Sequence, residues 1–90
     1  MLLARVEGHV VATRKHPSLG GWRLLLCQPI TAQGRAEGSP FAALDPWGAG
    51  LHERVIVSTD GAWARRTVGD PNSPARLMII GIVDREEAAR

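Results

Sequence analysis

A single cysteine in ninety residues excludes an intramolecular disulfide and the paired CxxC knuckles of a structural zinc site. Cys27 lies in Leu24-Leu25-Leu26-Cys27, where it reads as a small buried hydrophobe and not as a nucleophile. Histidine is equally scarce. His9, His16 and His52 are far apart and lack the HxxxH or HxH spacing of metal ligands, so no metal and no cofactor are expected. The chain also lacks GxSxG, GxGxxG and Walker-type GxxxxGK[ST] motifs, and its carboxylates show no pairing suited to acid–base work. No catalytic residue is assigned, and the expectation is a protein that is not an enzyme.

Long apolar runs are missing too. Leu77 to Val83, with Gly81 inside, is far shorter than the roughly 20 residues that cross a bilayer. Arg5 and Glu7 arrive before any stretch resembling a secretory signal, so a cytoplasmic protein without membrane association is the default. Charge of one sign is nearly balanced: 11 basic residues face 9 acidic ones, a net charge of +2. The basic positions are scattered and never run beyond two, so no dense arm exists to release counterions from a nucleic acid. Ten of the eleven are arginine, which fits either codon usage or bidentate salt bridges at interfaces. With 44% apolar residues the chain is too hydrophobic for disorder. It is also short enough that roughly a third of the unfolded surface stays exposed after folding.

What is present is mostly strand pattern. Ala4 to Thr13 alternates, with Ala4, Val6, Gly8, Val10 and Ala12 on one face. Trp22 to Ile30 forms a second strand after a Pro-Gly-Gly connection, giving a long-looped hairpin, and Pro29 marks that strand's edge or exit. Thr31 to Ser39 is small and polar, a surface loop where mobility is expected. Pro40 to Leu44 is a third short strand, stopped by the tight segment Asp45-Pro46-Trp47-Gly48-Ala49-Gly50. Arg54 to Thr59 is β-branched and strand-like. Thr59 or Asp60 then caps a short helix over Ala62 to Arg66, with Gly69 as its stop. Arg76 to Val83 is a last strand, apolar on both faces and so in need of cover on both.

Five strands with one helix between the fourth and fifth predict an all-β fold, a small OB-like β-barrel. The domain spans 1–84, and 85–90 is a short charged tail. A chain this small, with three tryptophans and a two-faced apolar strand, is expected to associate with itself.

The order of these segments resembles a known family. Val6-Glu7-Gly8-His9-Val10-Val11-Ala12-Thr13-Arg14-Lys15-His16-Pro17, Asp45-Pro46-Trp47-Gly48-Ala49-Gly50, Arg54-Val55-Ile56-Val57 with Gly61, Ala64 and Arg65, and Ile80-Gly81-Ile82-Val83-Asp84 are similar to the EutN/CcmL pattern, from about Leu3 to Asp84. Members of that family are vertex proteins of bacterial microcompartment shells, the carboxysomes and metabolosomes. The resemblance implies an OB-like barrel assembling as a cyclic pentamer that caps five-fold vertices. Its partners would be further copies of itself and the hexameric or pseudohexameric shell tiles, with neither nucleic acid nor membrane involved. Three departures are visible. Pro74-Ala75-Arg76 puts arginine where the family usually has a carboxylate, Pro46-Trp47 precedes Gly48, and only six residues follow Asp84.

Several residues carry two readings. Gly48, Ala49 and Gly50 make either a tight turn needing positive φ or a loop of small residues that lets five chains approach an axis and leave a pore. Arg65 either satisfies its helix end or contacts a neighbouring subunit. Trp22, Trp47 and Trp63 either fill the core or anchor an interface; two of them flank loops, which favours an interface for at least one, with Trp47 and Trp63 the candidates. The competing function is an OB-fold module for single-stranded nucleic acid, which needs stacked aromatics in a basic groove. Only four aromatics exist, and no two are close in the chain.

Overall fold

Apolar alternation in the segments above places five strands around one interior. The computed structural model describes residues 1–10 and 17–83. Among them the strands are β1 (Leu2–His9), β2 (Arg23–Pro29), β3 (Phe41–Asp45), β4 (Arg54–Ser58) and β5 (Met78–Val83), with helix α1 (Gly61–Val68) between the last two. They form a closed barrel in the order β1-β2-β3-β5-β4, and β4 returns to pair with β1. All neighbours are antiparallel except β3 and β5, which run parallel where Leu44 faces Met78. This is the OB-like topology expected from the sequence.

Closure leaves little room inside, so large side chains must face small ones. The interior holds Leu25, Cys27, Val6, Val55, Val57 and Ile79 beside Ala4, Ala43 and Ala49. Register explains the pattern: Ala4 lies opposite Val55 on one side and Pro29 on the other, and Leu25 lies opposite Ala43. Irregularities between Val6 and Gly8, and between Ile56 and Val57, bend the strands toward closure. A second cluster sits under the helix, where Ala64, Leu44, Ala75 and Met78 are packed by Trp22, Leu24, Val68 and Ile80. Trp22 is therefore the tryptophan that fills the fold.

Element ends differ in instructive ways. Pro29 does end β2, as a residue without an N–H should. The helix runs two residues beyond Arg66 because Val68 has the second cluster to pack against, and Gly69 stops it in the left-handed conformation at φ 76. Asp60, not Thr59, is the cap, accepting from the Ala62 N–H at 2.9 Å. The last strand begins at Met78, later than Arg76, although the Leu77 carbonyl already accepts from the Leu44 N–H. Val11 to Thr13 and the tail 85–90 lie outside the described residues.

The loop over Thr31 to Ser39 is fastened, contrary to the mobility expected from its composition. Ile30 bridges Ala36, and the Glu37 N–H donates to Pro29. Arg5, Arg54 and Gln28 donate to the carbonyls of Gly34, Ala32 and Gly38. Long polar side chains reaching from the barrel wall supply the order that small residues do not.

Ile79 is fully buried at the barrel centre. Replacing it with alanine is expected to lower the unfolding free energy by about 3 kcal/mol, measured by urea titration. Pro71→Ala, in an exposed turn, should change it by less than about 0.5 kcal/mol.

Candidate functional site

The segment after β3 turns back because one carboxylate collects its amides. Asp45 accepts from the Trp47 and Gly48 N–H groups through Oδ1, at 2.9 and 3.0 Å, and from the Ala49 N–H through Oδ2 at 2.9 Å. Its side chain is wholly buried, with Arg23 paired to Oδ2 at 3.4 Å. Arg23 also donates to the Ala49 carbonyl at 3.3 Å, strapping the outside of the turn. On the far side Glu53 accepts from the Gly50 N–H, and its own N–H donates to the Gly50 carbonyl. Sequence reasoning missed Asp45 and Arg23. The signal was present in the Asp-Pro-Trp-Gly order, an Asx turn in which the aspartate side chain captures amides ahead of it.

The three small residues of the turn divide their roles. Gly48 has φ 82, a left-handed conformation that a side chain would strain. Gly50 does not; a Cβ there would meet the Glu53 carboxylate at 3.1 Å. Ala49 is 1% exposed and its methyl group belongs to the barrel core, so the loop has only backbone and glycine surface to offer an axis.

Trp47, held by that turn, is 62% exposed and faces Trp63 of α1, itself 54% exposed, across one groove. The groove has a volume of about 500 Å³, with Met1, Pro46, Met78 and Ile80 completing its apolar walls and Ser58 and Thr67 its polar ones. Folding thus brings two tryptophans that are far apart in the chain to the lining of one groove. The groove is not basic: Arg66, 5.4 Å above the Trp63 ring, is the cation recorded stacking there, as i,i+3 spacing on a helix allows. Beyond it Ile82 of β5 is 40% exposed, so the cover that the last strand requires is incomplete within one chain.

Arg65 does both less and more than expected. Its carbonyl accepts from the Gly69 and Asp70 N–H groups at the helix end. Its guanidinium points the other way, lying against Gly61 one turn earlier, where any Cβ would come within 2.7 Å of Nη1. The side chain therefore does not serve the helix terminus.

Against this geometry the comparisons are decisive. The family model described as "Ethanolamine utilisation protein EutN/carboxysome" matches residues 1–84. The chain belongs to the EutN/CcmL family. Among its relatives, the "Bacterial microcompartment shell vertex protein PduN" of Salmonella typhimurium is 44% identical, with 93% of this chain and 96% of that protein covered. The "Carboxysome shell vertex protein CcmL" of Synechocystis is 40% identical, with 99% and 88% covered. Among solved structures, the "GrpN pentameric microcompartment shell protein" of Rhodospirillum rubrum superposes with a TM-score of 0.79 at 37% identity, covering 93% of this chain and 94% of that one. The EutN/CcmL barrel therefore accounts for the whole described fold, and no described helix is long and apolar enough to cross a membrane.

The fold shifts the ionisation of Cys27. Burial, with a smaller contribution from the Asp45 charge, pushes its thiol from 9.0 up to about 11. The unfolded thiol ionises first, so stability owed to the buried neutral form is present below pH 9 and is lost as pH rises toward about 11. Native protein at pH 8 should resist iodoacetamide and react fully once unfolded in urea, followed by intact mass. Rapid native alkylation would contradict the buried position.

Proposed function

We propose that this chain is a structural shell protein that assembles as a closed ring of five, caps the five-fold vertices of a bacterial microcompartment and seals the polyhedral shell around its enzymes. The observation that carries this is the superposition on a pentameric shell protein over nearly the whole chain. Flat sheets of hexagonal tiles do not close without five-fold positions, so the ring contributes curvature and a seal, and no chemical step is asked of it. Its location is the shell, inside the bacterial cytoplasm.

In the ring a heterologous contact repeats five times. Trp47 and Trp63 form the aromatic centre of that contact, because two large side chains, each more than half exposed, line one apolar groove. Arg65 lies on another face of α1, lining a separate hollow with Ala62, Arg66 and Asp70, and from there it reaches a neighbouring subunit. The Gly48, Ala49 and Gly50 backbone approaches the axis and borders the pore. The outer flank of the ring meets hexameric or pseudohexameric tiles.

Native mass spectrometry is expected to show a dominant five-chain species of about 48.5 kDa, built from a 9.7 kDa chain. A stable monomer would overturn the reading. Trp63→Ala should weaken each contact by about 2 kcal/mol and shift the spectrum toward monomer on dilution. A gel-shift assay with single-stranded DNA should show no tight, salt-sensitive binding.

A further inference from the structure

We infer that Asp45 is the positioning residue for assembly: one buried carboxylate sets both the tryptophan wall of the groove and the glycine loop in the geometry they need for contact with a second copy. The inference rests on the ring proposed above and adds to it the group that prepares the chain for ring formation.

The geometry carries the argument. Asp45 ends β3, so its own position is fixed by the barrel, where Arg23 lies opposite it in register. Its two oxygens accept from Trp47, Gly48 and Ala49, so that of the three only Ala49 is also held by packing in the core. Trp47 is mostly solvated and Gly48 has no side chain, so within a single chain little else holds this part of the turn. Arg23 closes the arrangement by binding both the carboxylate and the Ala49 carbonyl. A loop ordered before it meets its partner loses less conformational freedom on association, and that saving appears as affinity.

Asp45→Asn leaves one oxygen for three amides and brings an NH₂ donor against an N–H donor, so the turn must open. The barrel core contains neither Asp45 nor Trp47 and should survive. The test measures ring dissociation by native mass spectrometry over a dilution series, alongside unfolding in urea. Val57→Ala is the control, because it weakens the core from β4 while removing none of the turn's hydrogen bonds.

Asp45→Asn is expected to raise the concentration of half-dissociation by about tenfold or more, equivalent to about 1.4 kcal/mol. Val57→Ala should leave it within about twofold despite a comparable loss of stability. Amide exchange at Ala49, slow in the wild-type chain, should accelerate in Asp45→Asn and not in the control. If Asp45→Asn does not fold, Arg23→Met retains the three amide bonds while removing the strap, and should raise dissociation by about threefold. A wild-type ring whose dissociation is unchanged by either variant, or changed only as much as by Val57→Ala, overturns the inference and leaves the proposed function standing. A wild-type chain that forms no ring overturns both.

Discussion

The barrel closes through its shortest seam. Between β3 and β5 the register holds a single pair, Leu44 against Met78, supported by the Leu44 N–H donating to Leu77. Parallel strands need a crossover connection between them, and here that connection carries α1. The helix packs Ala64 and Val68 onto the same Leu44 and Met78 that make the seam, so closure and helix docking are one event. Everything exposed and apolar on this side follows from it. The turn after β3 leaves from one edge of the seam, β5 continues from the other, and α1 lies across it. Trp47, Trp63 and Ile80 line one groove because these three elements converge on the seam.

That arrangement explains how residues sixteen positions apart come to share a surface. Trp47 follows the seam strand and Trp63 sits on the helix over the seam, with Met78 and Ile80 at the groove floor. The interior is filled by six larger side chains and three alanines, none of them aromatic. Trp22 finds space only in the satellite cluster, and the other two tryptophans stay outside. A larger barrel could have buried them; this one is too narrow, and the surplus becomes a surface.

Strand alternation, the β-branched run at Val55 to Val57, the Asp60 cap and the Gly69 stop were legible because each follows from local backbone and side-chain geometry. The family pattern was legible for the same reason, since its segments are short and ordered along the chain. What was not legible depended on distance through space. The fastening of the Thr31 to Ser39 loop comes from Arg5 and Arg54 on strands far from it, and composition there suggests only solubility. The division of labour among Gly48, Ala49 and Gly50 was hidden because three small residues in a row look interchangeable until one methyl group turns inward. Asp45 was visible as a turn residue, but its burial, and hence its weight, required knowing that Arg23 would lie opposite it.

A surface of this size need not be strong to make a durable ring. In a closed assembly of five, four contacts form between separate partners and the fifth forms within one body, at the high effective concentration that the other four create. Removing any subunit then breaks two contacts at once, so weak individual interfaces yield a ring that resists loss of members while intermediates still come apart and correct errors. Closure makes a geometric demand in return: the angle between successive copies must repeat without drift, since a small error accumulates five times before the ends meet. A contact face carried by unordered loops would spread those angles and favour open chains. In the contact proposed above, a groove walled by a helix and a barrel strand, with its remaining tryptophan tied by a backbone amide to a buried carboxylate, keeps the angle narrow. Under that proposal, the rigidity of the turn after β3 bears on whether assembly ends at five as much as the apolar area bears on whether it begins.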